Sequence, residues 1–172
     1  MKKVVALVLS VVMMLSVMAL ADTGLRIVQS PNGGISVMQV TVDGKPVENP
    51  AEVAKVDENS DLVKNLAAAI DEVGMSEAFG SVLENPADYN LLSLADFSVE
   101  KADANMVISL AVAGVKADDE VVVLLGLVAN DNVSWSNLEV VSVEDGVVSV
   151  AVTPEQAEAV NSNDSVVAVL AK

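Results

Sequence analysis

From Asp96 to Ala171 apolar residues recur in strand-length runs cut by short polar turns, and this pattern restricts the fold more than any other feature. The runs are Phe97–Glu100, Met106–Val112, Glu120–Val128, Leu138–Val143, Val147–Val152 and Ser165–Ala171. In Met106–Val112 the side chains of Met106, Ile108, Leu110 and Val112 share one face, and the mixed opposite face predicts partial cover. Glu120–Val128 is almost continuously apolar and is the expected central strand. Glu144-Asp145-Gly146 joins two Val-rich runs as a hairpin. Thr153-Pro154-Glu155-Gln156 combines an N-cap, a proline at the first helical position and a capping-box glutamine, so a short helix is expected from Pro154 to about Val160.

Before Asp96 the pattern differs. Leu25–Val28 and Ile35–Val42 are expected strands around Pro31-Asn32-Gly33-Gly34, followed by a tight turn at Asp43-Gly44 into Lys45-Pro46-Val47. From Asp61 to Val73, Leu62, Leu66, Ala69, Ile70 and Val73 recur at spacings of three and four, predicting a helix with Ser60 as N-cap and Gly74 as stop. A second, shorter helix is expected from Ser76 and would bring Phe79, Val82 and Leu83 together before Asn85-Pro86 ends it. Ala87–Ala95 reads as a connection.

The expected class is therefore β-rich, α+β overall: a small β-sandwich over 96–172, preceded over 22–95 by a short β-hairpin and two short helices. Val121-Val122-Val123-Leu124, Trp135 leading into Leu138-Glu139-Val140, Asp145 to Val150 and Val166 to Val169 resemble the immunoglobulin-like domains found near the C-termini of secreted and surface proteins of Gram-positive bacteria. The resemblance covers less than half of the chain and implies an immunoglobulin-like sandwich for that part. With no cysteine in the chain, the antibody-type version with its inter-sheet disulfide is excluded.

Residues 1–21 read as a signal peptide: Lys2 and Lys3, an uncharged run from Val4 to Leu20, and Ala19-Leu20-Ala21 before Asp22. Such a run is also long enough to anchor in a membrane, but the small-x-small pattern followed by an acid favours cleavage. The expected location is secreted or cell-surface associated, with no membrane contact after cleavage. Loss of the first 21 of 172 residues removes two lysines and deepens the formal charge from −16 to −18. This field, with Arg26 as the single arginine, argues against nucleic acid and anionic lipid. It suits a well-solvated surface or a cationic partner.

The absence of histidine and cysteine removes Ser-His-Asp and Cys-His catalysis and the usual zinc sites. Ser60 and Lys64 lack the Ser-x-x-Lys spacing, and no glycine-rich phosphate loop is present. A hydrolase using two carboxylates is the remaining catalytic option, though no acid is singled out by its surroundings. Calcium is the one cofactor these residue types suit, through Asp118, Asp119 and Glu120 at one end of the central strand and Asp131 at the other; no EF-hand loop is present, and acidic turns also simply end an apolar strand. Trp135 and Tyr89 are the candidate ligand-binding residues, with a place in the core as the competing reading for each. The leading expectation is a non-catalytic protein that contacts another protein or a cell-envelope component, or assembles with itself. A carbohydrate or small-ligand binding module, aided by calcium, is the alternative.

Overall fold

A computed structural model of the chain describes residues 9–10, 34–100, 104–129 and 132–172. Apart from Leu9–Ser10, the expected signal peptide lies outside the described residues, as do the expected strand Leu25–Val28 and Asp131. The strands are β1 (Leu9–Ser10), β2 (Ser36–Val42), β3 (Lys45–Pro46), β4 (Ala54–Asp57), β5 (Asn90–Val99), β6 (Met106–Ala111), β7 (Val121–Ala129), β8 (Asn132–Glu144), β9 (Val147–Val152) and β10 (Asp164–Ala171). The helices are α1 (Pro50–Val53), α2 (Asp61–Val73), α3 (Met75–Phe79) and α4 (Pro154–Ser162).

The β-rich, α+β class is what the structure shows, with the strands in one curled antiparallel sheet of order β3-β2-β6-β9-β8-β7-β10-β5-β4. The curl turns on β8. Its first half pairs with β7, from Ala129↔Asn132 to Val123↔Leu138, and its second half pairs with β9, from Glu139↔Ala151 to Glu144↔Val147. A bulge at Val141 interrupts the second ladder and bends the strand, as an extra unpaired residue does. The sheet rolls far enough for β2 to approach β4.

Rolling creates two apolar compartments. The inner one gathers Phe97, Val99, Met106, Ile108, Leu110, Val123, Leu125, Val148, Val150, Val167 and Val169, and α4 adds Ala157 and Val160. The outer one lies between the sheet and the helices, where Val63, Leu66, Ile70, Met75 and Phe79 meet Leu91, Leu94, Leu124, Trp135, Val166, Ala168 and Leu170. Burial of a Leu66- or Ile70-sized side chain contributes about 1.5–3 kcal/mol, so α2 is held by its apolar stripe rather than by propensity. Lying between the compartments, β10 is buried on both faces from Ser165 to Ala171. Its unbroken apolar run is the consequence.

Several expected elements are present as read. Helix α2 spans Asp61–Val73, the Ser60 hydroxyl accepts from the Val63 amide at 3.1 Å, and the Gly74 amide donates to Ile70 at 2.8 Å. Its buried face is Val63, Leu66 and Ile70, rotated slightly from the expected stripe. Thr153 and Gln156 form the reciprocal capping box of α4. Asp43 and Gly44 both take positive φ, 50° and 74°, as a tight hairpin turn requires. Strand β7 has neighbours on both sides, and β8–β9 is the expected hairpin.

The stretch read as a connection is corrected. Asn90–Val99 is a ten-residue strand between β10 and β4. Leu170 pairs with Leu91 and Val169 with Ser93, so Leu92 is bulged out of register. The bulge shifts the side-chain phase: Leu91 and Leu94 both reach the helix-covered compartment, which disguises the period of two. The expected boundary at 95/96 therefore falls inside β5, and the helices pack on the sheet.

Candidate functional site

Three strand ends meet at one margin of the sheet. Strands β5, β10 and β7 are consecutive neighbours, and Tyr89, Lys172 and Glu120 are the residues flanking them at that margin. Glu120 and Lys172 exchange two backbone hydrogen bonds of 3.1 Å, extending the β7–β10 ladder by one pair. Tyr89 is delivered by the segment after α3. The Val82 and Leu83 amides donate to Phe79, Pro86 is buried, and a 3-10 turn over Pro86–Asp88 ends where the Tyr89 amide donates to Pro86.

The side chains continue what the backbone begins. The Tyr89 hydroxyl donates to Glu120 Oε1 at 2.8 Å, and Lys172 Nζ lies 3.0 Å from the same oxygen. Lys172 Nζ also sits 4.8 Å from the centre of the Tyr89 ring. The Lys172 ammonium, then the Tyr89 hydroxyl, hold the Glu120 carboxyl below the usual glutamate range. The hydrogen bond to Glu120 raises both the Tyr89 phenol and the Lys172 ammonium. Each group is thus moved away from neutrality, whereas proton-transfer catalysts are moved toward it.

This cluster closes one end of a groove of about 390 Å³. Val82, Leu83, Val121, Val122, Leu138 and Val140 line it with apolar surface, and Glu84, Asn85 and Asn137 add polar groups beside the Tyr89–Glu120–Lys172 cluster. A second groove of about 400 Å³ lies at the β4 edge, lined by Glu52, Val53, Lys55, Ser98, Val99, Glu100 and Asn161.

Trp135 does not reach the first groove. It is 9% exposed, its ring is 5.1 Å from that of Phe79 at 58°, and it lies across Gly126. The indole is packed into the core, in the space over β7 that Gly126 leaves. Gly126 and Glu120 are six residues apart along one strand, about 20 Å, so Trp135 stands away from Tyr89 along the strand direction.

The acidic residues also separate. Asp119 Oδ2 accepts from the Lys116 amide at 2.9 Å and closes its own turn, while Asp145 Oδ1 accepts from the Ala117 amide at 2.9 Å. Glu120 faces an ammonium, and Asp118 is exposed in the turn. Calcium takes six to eight oxygens, and among the described residues no three acidic side chains converge to offer them. Asp131 lies outside the described residues.

Sequence reasoning missed Lys172, Asn85 and Asn137. Lys172 becomes a neighbour of Tyr89 and Glu120 only through the pairing of β10 with β5 and β7, and no local motif carries that information. No known protein family, curated protein or solved structure matches the chain.

Proposed function

We propose that the protein is a non-catalytic contact protein working outside the cytoplasm, which holds a cationic polypeptide segment in the groove beside Tyr89, Glu120 and Lys172. The groove carries the proposal. A lining that mixes apolar side chains with polar ones suits a protein-protein contact, and about 390 Å³ accommodates one or two side chains of a partner. The formal charge of −16 favours a basic partner and speeds its approach. The pKa directions in the cluster support a binding rather than a proton-transferring role. The immunoglobulin-like reading of the C-terminal strands belongs to this proposal. Export belongs to it too, on the strength of residues 1–21.

Titration with short peptides that combine Lys or Arg with Leu or Val tests it, read by fluorescence anisotropy of the labelled peptide. Binding is expected to weaken at least tenfold in Asn85→Arg and in Tyr89→Ala, and to persist in Asn65→Arg on the exposed side of α2. Failure of every peptide to bind, or equal binding by all variants, would refute the reading. If saccharides bind in the same groove and peptides do not, the small-ligand alternative replaces it.

A further inference from the structure

Strands β7 and β8 separate where the first groove lies. Their ladder ends at Val123↔Leu138, and beyond it β8 pairs with β9 through Glu139↔Ala151 and Val140↔Val150. The start of β7 stays with β10, through Val121↔Ala171 and Val122↔Leu170. On their other side, Val121 and Val122 pair with no strand among the described residues. Neighbours in a strand point to opposite faces, yet Val121 and Val122 both line the groove. Val121, Leu138 and Val140 pack with the inner compartment, whereas Val122 and Leu83 pack with the helix-covered one. The groove therefore opens onto the edge of β7 rather than onto either face of the sheet.

The phase of the hydrogen bonds fixes what that edge offers. The Glu120 amide donates to the Lys172 carbonyl and the Glu120 carbonyl accepts from the Lys172 amide, so both backbone groups of Glu120 point toward β10. Backbone groups alternate sides along a strand, so those of Val122 also point toward β10 and those of Val121 point into the fork. Other stretches of edge are open too, Ser36–Val40 of β2 and Asn90–Ala95 of β5 among them, and an open edge alone selects no partner. At Val121 the edge has walls. Leu138 and Val140 stand on the inner side; Tyr89 and the preceding Glu84 and Asn85 stand on the helix side. The Lys172 ammonium is held by Glu120, whereas among the described residues no cation pairs with Glu84.

We infer, on the reading of this groove as a peptide site, that the bound segment is an extended strand pairing antiparallel with Val121 and carrying an apolar residue between two cationic ones. It takes the place and direction that β8 gives up when it turns to β9. The residue opposite Val121 exchanges two backbone hydrogen bonds with it, and its side chain falls on the Val121 face beside Leu138 and Val140. The residues before and after point to the helix side, where Glu84 meets a cation. Main-chain pairing supplies affinity, and the alternation supplies specificity. A Lys-Val-Lys order fits this register; Val-Lys-Val would set the ammonium among apolar side chains.

Amide hydrogen exchange resolved by residue, with and without a peptide containing Lys-Val-Lys, tests the inference. In the free protein the Val122 amide is expected to be protected and the Val121 amide to exchange freely; at saturating peptide, exchange at Val121 should slow about tenfold or more. Replacing the central valine by its hydroxy acid deletes one N–H without adding bulk, and should weaken binding in fluorescence anisotropy about fivefold, the worth of one backbone hydrogen bond. The same replacement at the preceding lysine, whose N–H points away from β7, should leave binding unchanged. Glu84→Gln should weaken the Lys-Val-Lys peptide about threefold and leave a Gln-Val-Gln peptide unaffected. A peptide that binds while the Val121 amide stays unprotected, or that loses equally from both replacements, would overturn this inference and leave the groove reading standing. Absence of binding by every peptide would overturn both.

Discussion

Replacing Gly126 with alanine places a methyl group where the Trp135 indole already lies. A Cβ at this position would stand 2.6 Å from Trp135 Cζ3, 2.9 Å from Cε3 and 2.8 Å from Val166 Cγ2. None of these atoms is the far end of a flexible chain: the indole is wedged against Phe79, and Val166 is fully buried in β10. Two effects oppose one another. Removing a glycine stiffens the unfolded chain and stabilises by about 0.4–1 kcal/mol where the backbone is compatible. Overpacking a filled core costs about 1–3 kcal/mol. The steric cost wins, for a net loss of about 1–2 kcal/mol, or about 2–8 °C in melting temperature for a chain of this size. Guanidinium unfolding followed by circular dichroism measures it. The cause is isolated by repeating the change in a Trp135→Phe background, where the shorter ring leaves the space free. Coupling between the two sites of about 1 kcal/mol is expected. A neutral Gly126→Ala, or the same cost in both backgrounds, would refute the assignment of Trp135 to a core built around Gly126.

Ser60→Ala removes the acceptor that caps α2 and should destabilise the fold by about 1 kcal/mol in the same unfolding assay. Leu124→Asp buries a charge between β7 and the helices at a fully buried position; the cost of several kcal/mol is comparable with total stability, and loss of the cooperative melting transition is expected. The cluster at the groove sets a pH window. The depressed Glu120 contributes stability that is present above the ordinary glutamate value of about 4.3 and lost as pH falls through its lowered pKa. The raised Tyr89 and Lys172 contribute stability that is complete below about 10 and lost as pH rises through their raised values. Glu120→Ala should therefore lower the tyrosinate titration seen in near-ultraviolet absorbance; an unchanged titration would show that the Tyr89–Glu120 hydrogen bond does not form in solution.

The elements legible in the sequence are those whose signals are local. Ser60, the stripe around Leu66 and Ile70, and Gly74 specify α2 within one segment, as Thr153 to Gln156 specify the start of α4. Strand β5 was hidden because the Leu92 bulge breaks its alternation, and β4 because four residues with two exposed charges make no pattern. The first half of β8 was hidden for a different reason. Its outer face carries Val133 and Trp135 under the helices, but its other face carries the exposed Ser134 and Ser136, so it reads as a polar linker. Half of the site was legible in the same sense: an aromatic and a carboxylate, Tyr89 and Glu120, could be singled out as residue types. Their meeting with Lys172 depends on strand order, which is a property of the whole sheet.

Backbone amide chemical shifts of the folded protein, followed during titration with a Lys- and Leu-containing peptide, test the central claim most directly. The account predicts saturable shifts at Val82, Asn85, Tyr89, Glu120 and Val122, with α4 and the β4 edge undisturbed. Shifts confined to the β4-edge groove around Lys55 and Glu100, or an unperturbed spectrum at saturating peptide, would contradict it.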